Sequence, residues 1–265
     1  MDSPIVTLTT DWGYQDFFAG MVKGELYSAI PNVRVVDITH GIEPFQPSKA
    51  IFVVKNACLG FPKGTIHIID IDSSETSERP FLIVEYRDQY FICTDNGLPY
   101  AVFGNDFSRA VVINTFHKSE FFTFAAYDLF CPVAAQLALG ADLADFGPLT
   151  DTLYQITPLN SFVMNDTLKI YVSYIDNYGN ADLNITYEEF ERYRKGRKFS
   201  LYIHENTVKE IRRSYFDVDA NGGHLSSLLL TVSATGHLQV ALREASAEQL
   251  LGLQIMDALF VKFSD

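Results

Sequence analysis

The stretch IIDIDSSETSER (68–79) places Asp70 and Asp72 two apart at the end of an apolar run. In an extended strand they share one face. A buried carboxylate is costly unless something pairs with it or uses it. Arg79, past a polar loop, can supply a guanidinium fork that orients Asp72; a surface ion pair beside a loop is the plainer account. In TLTTDWGYQD, Asp11 closes a short strand just before Gly13. There it can accept two hydrogen bonds, as from a ribose diol, although capping a helix explains the same residue, and better, on that segment alone. SYIDNYGN sets Asp176, Gly179 and Asn180 at a strand end. Such a turn grips a polar ligand end, and a hairpin turn has nearly the same composition. TDNGLP (94–99) reads as a turn. His67 lies within a strand on the face opposite Asp72 and reads as a core histidine; His117, in TFHKSE, reads as a solvated loop residue. No His or Cys spacing suggests a metal, and neither a glycine-rich phosphate loop nor a nucleophile elbow is present.

The elements that must hold these residues fall into two textures. Residues 1–148 alternate strand-like and helix-like segments, with SPIVTLTTD, VRVVDIT and TIHIIDID as strands and PSKAIFVVKNACLG (47–60) and DLFCPVAAQLALG as helices. FLIVEYRDQYFICTDNG reads as a hairpin. This order predicts an α/β/α layered domain with a largely parallel sheet, whose ligands sit beyond the carboxyl ends of strands, where Asp11, Asp37 and Asp72 stand. Residues 149–165, punctuated by Pro158, read as a linker. Residues 166–265 carry short alternating strands at barrel spacing and predict a smaller all-β barrel. TYEEFERYR opens with a capping box, Thr186 with Glu189.

Composition narrows the function class. The chain has 265 residues, 48% of them hydrophobic, and a net charge of −13, which repels a nucleic-acid backbone. No apolar run reaches the ~20 residues of a membrane span. The opening MDSPIVTLTTD has neither the basic patch nor the apolar core of a signal segment, as expected of a cytoplasmic protein. Cys58, Cys93 and Cys131 read as reduced core thiols.

Taken in order, TTDWGYQDFFAGMVKG, VVDITHGIEPFQP, GTIHIIDID, TDNGLP, DLFCPVAA, IDNYGN and LREASA span nearly the whole chain. The series resembles the S-adenosylmethionine hydroxide adenosyltransferase family, which includes the fluorinase and chlorinase. The resemblance implies an N-terminal α/β domain, a C-terminal β-barrel and a homotrimer with the ligand between subunits. It implies attack at the ribose C5′ of S-adenosylmethionine with expulsion of methionine, and no cofactor. Carried over by position, Asp11 would hold the ribose hydroxyls and Phe45 would wall the pocket. Asp176 and Asn180 would bind the methionine end and the nucleoside, and Arg243 and Ala245 would meet adenine. Asp72 and Arg79 match two members of the hydrolases' Asp–Arg–His set around the attacking water.

The third member is missing. Where the hydrolases carry a motif like FHGRD, this chain has FAAYD (124–128), with Ala125 at the histidine position. Alanine cannot donate, accept or move a proton. SSET (73–76) replaces a PGVG-like turn and adds Glu75, and Asp70 replaces an apolar strand residue. Two readings follow. One is an adenosine-forming hydrolase with a rebuilt catalytic set, in which Asp72 acts alone or with Glu75 or His117. The other is a weakly active or inactive binder of S-adenosylmethionine or adenosine. A halogenase fits less well, because Asp72 and Glu75 would repel a halide.

Overall fold

The computed structural model describes residues 3–115, 117–157, 159–217 and 227–265. The chain divides into two compact units, Met1–Thr157 and Pro158–Asp265.

Unit 1 runs β1 (Ile5–Thr10), α1 (Phe18–Ala29), β2 (Arg34–Thr39), α2 (Pro47–Ala57), β3 (Ile66–Asp70), β4 (Phe81–Tyr86), β5 (Gln89–Thr94), α3 (Leu98–Phe103), β6 (Arg109–Val112), α4 (Cys131–Ala138) and β7 (Leu149–Thr150). Its sheet has the order β2-β1-β3-β5-β4-β6-β7. The pairs β1–β2, β1–β3 and β3–β5 are parallel, and the rest are antiparallel. The two-residue periodicity of β3 explains the layering. Ile66 and Ile68 join a core with Val22 and Leu26 of α1 and Val133 of α4. Ile69 packs on the other side with Ala50 and Val54 of α2 and Val102 of α3. Helices therefore cover both faces of the sheet, as a buried parallel arrangement requires. The β4–β5 hairpin turns on Arg87 and Asp88, both with positive φ, the backbone twist that a two-residue hairpin loop prefers.

Unit 2 contains β8 (Phe162–Met164), β9 (Thr167–Ile175), β10 (Ala181–Thr186), α5 (Tyr187–Arg194), β11 (Lys198–Ile203), β12 (Asn206–Val208), β13 (Leu228–Val232), β14 (His237–Leu242), α6 (Ala247–Leu251) and β15 (Ala258–Ser264). The strands are antiparallel in the order β12-β11-β15-β9-β10-β14-β13, with β8 on β9. Alternate residues of β9 (Leu168, Ile170, Val172) and β15 (Leu259, Val261, Phe263) fill the interior. Past β12, Ile211 bridges Leu230 of β13, and the Arg212 N–H donates to the Leu230 carbonyl at 2.7 Å. The sheet thus curls nearly shut. The expected capping box is present: the Glu189 N–H donates to Thr186 Oγ1 (3.2 Å) and the Thr186 N–H to Glu189 Oε2 (2.9 Å). Within 149–165, β7 extends the first sheet and β8 pairs with the second.

Candidate functional site

In unit 1 the carboxyl ends of β1, β2 and β3 converge. The Gly13 N–H donates to the His40 carbonyl at 2.7 Å, tying the end of β1 to the end of β2. Asp11 follows β1, and its Oδ2 accepts from the Phe45 N–H (3.0 Å) and the Asp72 N–H (3.3 Å). Phe45 and Asp72 are both left-handed, with φ of 61° and 48°, a conformation that non-glycine residues hold only under surrounding constraint. The Asp11 carboxylate provides part of that constraint. It joins three residues singled out from sequence, and its Oδ1 has no partner among the described residues.

One sequence expectation needs correction here. Asp70 and Asp72 do not continue one strand face. β3 ends at Asp70, and the left-handed turn at Asp72 breaks the alternation. Asp70 is buried at 4% exposure and accepts from Trp12 Nε1 at 2.8 Å. Burial pushes its carboxyl up to about 6, and Asp11 adds to the rise, while Ser73 and Trp12 oppose it. The Ser73 hydroxyl is close enough to have that effect, yet neither its Oγ nor Asp70 Oδ1 meets hydrogen-bond geometry. Asp72 is half-buried, and its carboxylate has no hydrogen-bond or ion-pair partner among the described residues.

Arg79 makes no ion pair with Asp72. Its guanidinium lies 5.1 Å over the Tyr154 ring, and Asp95 holds the Tyr154 N–H through both carboxylate oxygens (2.9 and 3.0 Å). Glu75 is exposed, as is Phe45, which offers an apolar wall. Ala125 is buried where a π-helical turn, Ala126–Phe130, leads into α4. His117 is exposed and stacks on Phe122 with ring centroids 3.7 Å apart. His67 is a core residue as its position suggested: it bonds Thr7 Oγ1 at 2.7 Å, stacks on Phe91, and burial pushes its pKa down to about 4.

Unit 2 contains a cleft of about 570 Å³ whose lining includes Asp176, Asn180, Arg243 and Ala245. The β9–β10 turn is built around Asp176. Its Oδ1 accepts from the Tyr178 and Asn180 N–H groups, and its Oδ2 from Asn180 Nδ2, each at 2.9 Å. Gly179 has φ of 79°, and a Cβ there would run into Ser246. The sequence reading missed Tyr215 and Phe216, which also line the cleft. The Tyr215 hydroxyl donates to Gln239 Oε1 (2.6 Å), and Gln239 Nε2 donates to buried Asp182 (3.2 Å). The Arg243 guanidinium lies 5.4 Å over the Phe216 ring. No spacing in RRSYFD announced either aromatic. Among the described residues, no group of three His, Cys, Asp or Glu could hold a metal.

A family model for the SAM hydroxide adenosyltransferase N-terminal domain matches residues 6–147, and one for its C-terminal domain matches residues 170–260. The (R)-S-adenosyl-L-methionine hydrolase of Salinispora tropica is 29% identical over 274 residues, covering 98% of both chains. The protein of the same name from Methanocaldococcus jannaschii is 25% identical over 261 residues, covering 96% of this chain and 94% of its own. An uncharacterized conserved protein from Thermotoga maritima superposes with a TM-score of 0.86 at 26% identity, covering 97% of this chain and 99% of that one. A conserved hypothetical protein from Thermus thermophilus shares the fold, with a TM-score of 0.74 at 23% identity and 99% and 100% coverage.

Proposed function

Because this chain belongs to the SAM hydroxide adenosyltransferase family, we propose that it hydrolyses S-adenosylmethionine to adenosine and methionine. The water oxygen attacks the ribose C5′ as the C5′–S bond breaks. Sulfur keeps the bonding pair and leaves as neutral methionine, and one water proton is released. A sulfonium leaving group needs no general acid, so the protein's task is to align and polarise water.

The observation that carries this reading is Asp72. Its carboxylate stands partner-free and half-buried at the sheet's carboxyl edge, on a backbone pinned by Asp11. Asp72 accepts the water's hydrogen bond. Asp11, through its unused Oδ1, takes a ribose hydroxyl, and Phe45 walls the sugar. In the barrel, Asp176 and Asn180 take the methionine end and the nucleoside, with Arg243 and Ala245 at the adenine. Arg79 supports the water site, with Glu75 and His117 as further proton carriers. The enzyme works in the cytoplasm, without a cofactor, as a homotrimer. Turnover in ¹⁸O-labelled water tests the reaction: mass spectrometry should find the label in the adenosine 5′-hydroxyl. Adenosine without label would contradict attack at C5′.

A second reading is favoured by one observation, Arg79 seated on Tyr154 rather than beside Asp72. With alanine at position 125, such a site suits a protein that binds adenosyl compounds without turning them over. That protein would gain thermal stability from S-adenosylmethionine and release no adenosine.

A further inference from the structure

Asp70 is a buried carboxyl that the proposed chemistry leaves unused. The β1–β3 register sets it opposite Thr10, two residues before Trp12. Its Oδ2 accepts from the Trp12 indole at 2.8 Å, and its buried Oδ1 has no partner. The indole is also held by stacking on His40 at 5.6 Å and edge-on against Phe124 at 5.1 Å. His40 in turn bonds Thr10 Oγ1 at 2.7 Å. Trp12 remains partly exposed and follows Asp11 directly, so the set of its ring and the set of the Asp11 carboxylate share a backbone. One departure from the family's pattern noted in the sequence, Asp70 in place of an apolar strand residue, lies at the centre of this network.

We infer that Asp70 is a positioning residue for the adenosyl site, fixing the Trp12 ring as a wall against the bound nucleoside. This rests on the adenosyl-binding reading above. An indole N–H can be satisfied by any carbonyl or hydroxyl acceptor, and a buried carboxyl is a costly choice for packing alone. Here it anchors a ring whose other contacts are aromatic and can slide. The mechanism runs from Asp70 to Trp12, to Asp11, and through the Asp11 carboxylate to the backbones of Phe45 and Asp72.

Trp12 is the chain's single tryptophan, so its emission reports on this site directly. Adenosine is titrated into the wild type, Asp70→Asn and Asp70→Leu, each followed by Trp12 emission and by calorimetry. A second emission scan, against pH, uses no ligand. Adenosine is expected to change the wild-type emission saturably. Asp70→Asn, which keeps an acceptor for the indole, should bind within about threefold of wild type. Asp70→Leu should bind at least tenfold more weakly while still melting cooperatively. In the scan, wild type should step near pH 6 and Asp70→Asn should stay flat; a step surviving in Asp70→Asn would place its origin outside Asp70 and count against the inference. Calorimetric binding with silent Trp12 emission, or wild-type affinity in Asp70→Leu, overturns the inference alone. No binding of adenosine or S-adenosylmethionine to wild type overturns the adenosyl reading and the inference with it.

Discussion

Replacing Asp70 by asparagine should remove a cost of folding that grows with pH, and the size of the effect follows from burial. The Asp70 carboxyl is pushed from 3.8 up to about 6, a rise of roughly 2 units, or about 3 kcal/mol at ~1.4 kcal/mol per unit. The sign follows from proton counts. Between about pH 4 and pH 6 the native state holds a proton that the unfolded chain has lost, so native stability falls as pH rises. The cost is absent below the unfolded pKa and complete above the folded one. Asparagine carries no charge, so the Asp70→Asn gain over wild type should grow by about 3 kcal/mol from pH 3.5 to pH 7.5. Its amide N–H groups add an offset that does not vary with pH and cancels in that difference. Urea unfolding of both proteins across this range measures it. A flat difference, or one that shrinks as pH rises, would refute the burial argument for Asp70.

Other residues make separate predictions. Gly179→Ala would drive a Cβ against Ser246, 2.7 Å from its Cβ, at φ of 79°. It should cost about 2–4 kcal/mol by thermal unfolding, and the double variant Gly179→Ala/Ser246→Gly should recover the steric part. Tyr154→Ala removes the ring under Arg79. The lost cation–π contact should cost about 0.5–1 kcal/mol of stability in urea unfolding, whereas Tyr154→Phe should keep the wild-type stability. The thiols of Cys58, Cys93 and Cys131 are buried and pushed upward by desolvation, Cys58 to about 11. Since the thiolate is the reactive form, a thiol reagent at pH 8 should label none quickly in the native protein and all three after unfolding.

The sequence made the two domains visible because their periodicities differ. Apolar residues at helical spacing alternate with short runs in unit 1, and period-two strands fill unit 2. The Thr186–Glu189 box was legible because capping is local. The mixed character of the first sheet was less so. The β4–β5 hairpin could be read, but the pairings of β6 with β4 and β7 come from contacts remote in sequence. The Asp70–Asp72 alternation misled for a definite reason: period-two reasoning assumes extended backbone, and a positive φ at Asp72 ends it. The Trp12–Asp70 bond spans 58 positions, and no local pattern encodes it. Asp11, Asp176 and Asn180 stood out in the sequence because an acid or amide near a glycine at a strand end is a recognisable turn. Tyr215 and Phe216 carry no such signature.

The most direct test incubates S-adenosylmethionine with concentrated protein and quantifies adenosine and methionine by chromatography, with Asp72→Ala alongside. The account predicts equal amounts of the two products from wild type and none above background from Asp72→Ala. Undiminished product in Asp72→Ala, or no adenosine from a wild type that binds S-adenosylmethionine, would contradict it.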